Sequence, residues 1–204
     1  RERETIFRLS KAAEYRDPET GGHILRMAHY SRLIAERLGL APQEQQLILE
    51  AAPMHDIGKV GTPDHILLKP GRLDAEEFTI MKRHAEIGHR ILRNSTSPIL
   101  NAAAIVALSH HEKFDGSGYP QGLVGDAIPL HGRIVAVADV FDALTSARPY
   151  KRAWEIDAAR EFILDNSGSH FDPRCVDAFT GAWSEVLAIR SRFLDENLES
   201  SPDN

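Results

Sequence analysis

At 204 residues the chain is long enough for one domain with a substantial core, and 42% hydrophobic residues is ordinary for a globular protein. A formal net charge of -6 argues against nucleic-acid duplexes and anionic membranes as partners. The single cysteine, Cys175, excludes an internal disulfide and fits a reducing, cytoplasmic compartment, and no apolar run approaches the roughly 18–20 residues that span a bilayer.

Nearly every periodic segment has helical spacing. Residues 2–15 predict a charged amphipathic helix; because the sequence opens in it, residues 1–16 are expected to connect to an upstream domain. A second helix runs from about Gly22 to Leu38 and closes at Gly39, a favourable C-cap residue. The third opens after Ala41 with Pro42 in its first turn and reaches His55-Asp56, with a kink expected at Pro53. A long loop, Val60 to Leu73, follows. The fourth helix begins near Asp74, where Asp74 and Glu77 form a capping-box pattern, and runs to about Leu92. A fifth covers about Pro98–His111, and a glycine-rich loop leads to a sixth at His131–Ser146. The seventh covers about Ile156–Asn166, the eighth about Pro173–Leu194, and the tail 196–204 reads as disordered. No segment alternates with period two over strand length, so the expected fold is all-α: a single helical bundle of seven or eight helices over residues 17–195.

Chemistry-bearing residues recur along this frame. MHDIGK, residues Met54 to Lys59, carries an adjacent His55-Asp56 pair; His84, the doublet His110-His111 and Asp139 follow, and Glu19 and His23 stand upstream, four residues apart. Imidazole and carboxylate together suit divalent first-row metals such as Fe, Mn, Ni, Co or Zn. A carboxylate beside a histidine can bridge two ions while the imidazole anchors one, and two ions about 3.5–4 Å apart can stabilise the attacking and leaving oxygens of a phosphoryl transfer. Two octahedral ions offer about twelve positions. Asp56 as a bridge fills two, and His23, His55, His84, His110, His111 and Asp139 fill six, leaving room for a bridging hydroxide and substrate phosphate oxygens. Glu19 then anchors a third ion beside His23 or accepts a hydrogen bond from it. Asp139 interrupts the apolar stretch Ile134–Phe141, where an unpaired carboxylate would be costly. Lys59, one helical turn from His55, can stabilise charge on the phosphoryl group, so Asp56 and Lys59 are the catalytic candidates. The remaining histidines, His29, His65, His89, His131 and His170, read as surface or core residues.

The conjunction of these residues resembles the HD superfamily of metal-dependent phosphohydrolases. The loop His110 to Leu123, with Asp115-Gly116 and Gly118-Tyr119-Pro120, is similar to the HD-GYP family of cyclic di-GMP phosphodiesterases. The likeness extends over about residues 14–181 and includes Thr20–Met27, Ala51–Gly61, Ile66–Leu73, Met81–Gly88, Arg133–Lys151 and Gly168–Pro173. It implies that His23, His55, Asp56, His84, His110, His111 and Asp139 are metal ligands and that Glu19 is the acid of three-metal members. It also implies a catalytic-site role for Lys59 and substrate-phosphate contacts for Arg148 and Lys151, which otherwise read as an exposed loop charge pair. Tyr119 is the expected substrate contact of the loop. The implied reaction is hydrolysis of cyclic di-GMP to pGpG and on to GMP, with two or three divalent metals. The implied partners are an upstream receiver domain and a diguanylate cyclase domain, and a homodimer is left open. Two other readings remain: a module that senses the dinucleotide or docks a cyclase through Tyr119 with little turnover, and a phosphodiesterase for cyclic GMP-AMP. The residues themselves reach only as far as a phosphodiester; guanine rests on the resemblance.

Overall fold

The computed structural model describes residues 1–17 and 21–194. The predicted tail, 196–204, lies outside the described residues, as does Glu19. Ten α-helices of eight or more residues and one short turn of helix make up the described chain, with no named strand among them; the all-α expectation is borne out. They are α1 (Glu2–Glu14), α2 (Gly21–Arg37), α3 (Pro42–Ala51), α4 (Asp64–Leu67), α5 (Ala75–Lys82), α6 (His84–Leu92), α7 (Pro98–Ser109), α8 (Leu130–Thr145), α9 (Ile156–Asp165), α10 (Pro173–Gly181) and α11 (Trp183–Arg192).

Helix starts follow local chemistry. Pro42, Pro98 and Pro173 each sit in a first turn, where a missing N–H costs nothing. The Asp74 carboxylate accepts from Glu77 N at 2.8 Å while Glu77 Oε2 accepts from Asp74 N at 3.0 Å, the reciprocal cap expected from the sequence. Gly39 ends α2 with φ of 78°. Four boundaries differ from the expected ones. Pro53 ends α3 rather than kinking it: a 3₁₀ turn, Ala52–Met54, takes over and is followed by a second, Ile57–Gly61. The loop after it holds α4. The long fourth helix is broken at Arg83 into α5 and α6, and the eighth at Ala182, whose φ of -106° and ψ of 33° leave the helical region, into α10 and α11.

Two apolar clusters hold the bundle. The larger lies among α2, α3 and α8 to α11, where Tyr30, Phe141 and Phe179 meet edge to face and are fully buried. Each such ring contributes roughly 1.5–3 kcal/mol by leaving water. The smaller joins α1, α3, α6 and α7 through Ile6, Met54, Leu92 and the small residues Ala51, Ala102 and Ala103. α1 is thus packed on the bundle, with Arg3 also paired to Glu50 at 2.9 Å. Among the described residues, no helix is long and apolar enough to cross a membrane.

The close approach of α6 to the turn after His55-Asp56 depends on Gly58. A Cβ there would stand 1.8 Å from the His84 carbonyl oxygen and 2.5 Å from Gly88 N. Gly58→Ala is therefore expected to push α6, and His84 with it, off the turn. The predicted loss is roughly 1–3 kcal/mol or more, read as a fall of several degrees in Tm together with weaker metal retention. An unchanged Tm would show that the two elements separate at no cost.

Candidate metal centre

The two 3₁₀ turns place His55 and Asp56 between α2, α6, α7 and α8, at the centre of the bundle. There the chain gathers two groups of ligand atoms. Asp56, His84, His110 and His111 form one, and His23, His55 and Asp139 the other, each with its ligand atoms within 4.8 Å of one another. Asp56 lies between them. Its Oδ1 is 3.2 Å from His84 Nε2 and 3.3 Å from His110 Nε2, while its Oδ2 is 3.1 Å from His55 Nε2. Asp139 Oδ1 stands 3.5 Å from both His23 Nε2 and His55 Nε2.

The imidazoles are turned to present nitrogen lone pairs inward. His55 Nδ1 donates to Ala52 O at 3.1 Å, His84 Nδ1 to Met81 O at 2.7 Å, and His110 Nδ1 to Val106 O at 3.0 Å. His23 Nδ1 donates to Asp142 Oδ2 at 2.7 Å. With Nδ1–H so committed, Nε2 is the coordinating atom, the usual arrangement of metal-binding histidines. The Nε2 atoms of His55, His84 and His110 and the Oδ1 of Asp56 are buried and make no hydrogen bond. Lone pairs of nitrogen and oxygen facing each other at this range are costly unless protons or cations lie between them. A buried set of imidazole nitrogens and carboxylates fits divalent cations of the first transition row.

The electrostatics agree. Burial drives the His110 and His111 imidazoles toward the neutral, ligating form. Burial also disfavours charge on His55, but the Asp56 and Asp139 carboxylates outweigh it and raise its pKa well above the ordinary value, so a proton sits where a metal cation would displace it. Burial opposes ionisation of Asp56, yet His55 and Lys59 hold it well below the carboxylate range; Asp139 is held low in the same way, with His55 the main partner. Both carboxylates are therefore ionised and ready to ligate. Lys59 sits at the edge, its Nζ 2.8 Å from Asp56 Oδ2 and 2.7 Å from Asp17 Oδ2.

The glycine-rich loop closes one side. Tyr119 stacks on His111 at 4.8 Å between centroids and 18° between planes, and its backbone N–H donates to His111 O at 3.2 Å. A Cβ on Gly118 would fall 2.3 Å from Lys113 N, so the turn before Tyr119 admits only glycine. Two contacts fix the loop that the sequence reading did not single out. The buried Glu112 carboxylate accepts from Gln121 N at 2.7 Å and Leu123 N at 3.1 Å. Residues 114 and 115 donate backbone N–H groups to His170 O and Ser169 O at 3.0 and 2.8 Å.

Arg148, Lys151 and the remaining histidines lie outside the two ligand groups. Arg148 and Lys151 lie in a tight turn beyond α8, bonded to each other through their backbones at 2.8 and 3.1 Å, with Lys151 exposed. His65, on α4, and His131, on α8, belong to neither ligand group; nor do His29, His89 and His170. Asp142 and Arg26 were not anticipated. Fully buried Asp142 accepts from Arg26 Nε at 2.7 Å, from His23 and from Ser146 Oγ at 3.2 Å. Arg26 Nη1 in turn donates to Phe193 O at 2.8 Å. A second carboxylate, three residues after Asp139 in an apolar helix, was the available signal.

By class, the molecule is an all-helical protein built round a cluster of histidines and aspartates that could hold metal ions. The chain belongs to the HD-domain family, whose model, described as HD domain, matches residues 8–175, and the resemblance to HD-GYP proteins is borne out. It is 53% identical over 193 residues to the cyclic di-GMP phosphodiesterase response regulator RpfG of Xanthomonas campestris pv. campestris (strain 8004), covering 95% of this chain and 51% of that protein. It is 46% identical over 193 residues to 3'3'-cGAMP-specific phosphodiesterase 2 of Vibrio cholerae serotype O1, covering 95% of this chain and 37% of the relative. The chain thus spans about half or less of the length of these relatives. Among solved structures, a cyclic GMP-AMP specific phosphodiesterase of V. cholerae (V-cGAP3) superposes with a TM-score of 0.65 at 23% identity, over 96% of this chain and 51% of that one, which supports the fold.

Proposed function

We propose that this chain hydrolyses a phosphodiester bond of a cyclic dinucleotide, with cyclic di-GMP as substrate and pGpG, then GMP, as products. The observation that carries the reading is Asp56, whose two oxygens face the histidines of both ligand groups at 3.1–3.3 Å. In this reading Asp56, His84, His110 and His111 would hold one divalent ion and His23, His55 and Asp139, with Asp56 shared between the groups, would hold another, with Fe or Mn the preferred metals. Glu19 with His23 serves a third ion. Bound metals supply positive charge to the phosphoryl oxygens and lower the pKa of a water. Lys59 adds a fixed ammonium at the rim of the site, where negative charge grows as the phosphoryl group transfers. Tyr119 bounds the substrate on the loop side, and Arg148 and Lys151 supply cations beyond the end of α8 for the substrate's phosphates. The name of the 53% identical relative supports cyclic di-GMP as substrate and a place in a response regulator. The name of the 46% identical relative supports 3'3'-cGAMP as the second substrate reading.

The test is turnover by protein purified without oxygen or chelators, with metals counted per chain. Loss of cyclic di-GMP with appearance of pGpG and GMP is expected, faster than loss of 3'3'-cGAMP. Binding of cyclic di-GMP without loss would sink the enzyme reading in favour of a sensing or docking module.

A further inference from the structure

The aromatic stack that begins at His111 does not end at Tyr119. Phe78, on α5, meets the Tyr119 ring edge to face, with centroids 6.0 Å apart and planes at 85°. Phe78 is 44% exposed. Lys82, one turn along the same helix, holds its Nζ 5.2 Å from the Phe78 centroid and 5.8 Å from the Tyr119 centroid. Two residues further on is His84, with Nε2 at 3.2 Å from Asp56. A single exposed phenylalanine needs no explanation. This one is part exposed, has the Lys82 ammonium over its ring, and is joined by ring contacts through Tyr119 to His111 of the candidate metal centre.

We propose that Phe78, with Lys82 beside it, is the platform on which a purine base of the substrate stacks while the phosphodiester lies at the metal centre. The proposal rests on the cyclic-dinucleotide reading above and adds to it the element that reads the base. In a nucleotide the base lies one ribose away from the phosphate, and every base has a π-face that an aromatic side chain can hold. The ammonium of Lys82 distinguishes among purines. Guanine offers two acceptors on one edge, N7 and O6, where adenine pairs its N7 acceptor with an N6 donor that repels a cation. The platform therefore favours a guanine, which cyclic di-GMP and cyclic GMP-AMP both carry and cyclic di-AMP lacks.

The test compares the anaerobically prepared, metal-loaded chain with its Phe78→Ala, Phe78→Trp and Lys82→Met variants. Phe78→Ala should raise KM for cyclic di-GMP about tenfold with kcat and metal content little changed, and Phe78→Trp should restore it. Lys82→Met should narrow the preference for cyclic di-GMP over cyclic di-AMP. Calorimetric binding of 5′-GMP and ribose 5-phosphate supplies a readout independent of turnover. The advantage of GMP should disappear in Phe78→Ala while ribose 5-phosphate binds as before. Unchanged KM and an undiminished GMP advantage in that variant overturn the proposal. So does a parallel loss of metal and of ribose 5-phosphate affinity, which would make the ring a packing element. A wild-type chain that binds GMP through Phe78 but leaves cyclic di-GMP intact would uphold the platform and overturn the phosphodiesterase reading instead.

Discussion

Alanine at position 56 is expected to remove metal and activity together. Among the described residues, Asp56 is the carboxylate whose oxygens face histidines of both ligand groups, at 3.1 Å from His55, 3.2 Å from His84 and 3.3 Å from His110. Without it, two cations would face each other with no shared negative charge, and the neighbouring Lys59 ammonium, now 2.8 Å from nothing anionic on that side, would repel both. Metal analysis of anaerobically purified Asp56→Ala should find the centre depleted, and turnover of cyclic di-GMP should fall below detection. Asp56→Asn, nearly the same shape, checks that the loss is one of charge and not of folding. Near-normal stoichiometry and turnover in both variants would refute the shared-carboxylate arrangement.

Lys59→Ala should behave in the opposite way toward metal. The side chain is not a ligand: it reaches the centre through Asp56 and is held from the other side by Asp17 at 2.7 Å. The variant is expected to keep its ions and lose roughly 10²–10³-fold in kcat, the scale seen when one preorganised donor to a developing oxyanion is removed. KM should move less, because the contact strengthens only as charge develops. A variant that loses its metals would reassign Lys59 to holding Asp56 in place, with no part in the chemical step.

Much of the centre was readable from residue types. His55-Asp56, the His110-His111 doublet and Asp139 in an apolar run are each ambiguous alone, but the sequence spaces them on separate elements, the turns after α3, the end of α7 and α8, and packing brings those elements together. What escaped the sequence is the set of partners those residues choose. Asp142 orients His23 across 119 positions, Glu112 pins the loop, and Asp17 holds Lys59 across 42. A surface carboxylate and a buried orienting one are written with the same letter, and only tertiary contact separates them. Helix breaks show the same limit. Pro53 announced an irregularity, whereas Arg83 and Ala182 are ordinary helix formers, and the chain bends there to follow the bundle, against local preference.

The hydrogen bonds that aim the imidazoles divide the centre into two kinds of ground. His55, His84 and His110 each lean on a carbonyl three or four residues back in the chain. Their aim is encoded within a single turn of backbone and travels with it, so substitutions in the surrounding core can drift without re-pointing them. His23 is aimed from across the bundle by Asp142, and Asp142 is held by Arg26, whose other hand grips the carbonyl of Phe193 past the end of α11. Of these four histidines, three are aimed by their own stretch of backbone, and His23 is aimed through contacts that reach the far end of the described chain. A strain or a contact applied near Phe193 therefore has a hydrogen-bonded route to one ligand of the centre while leaving the locally anchored ones where they stand.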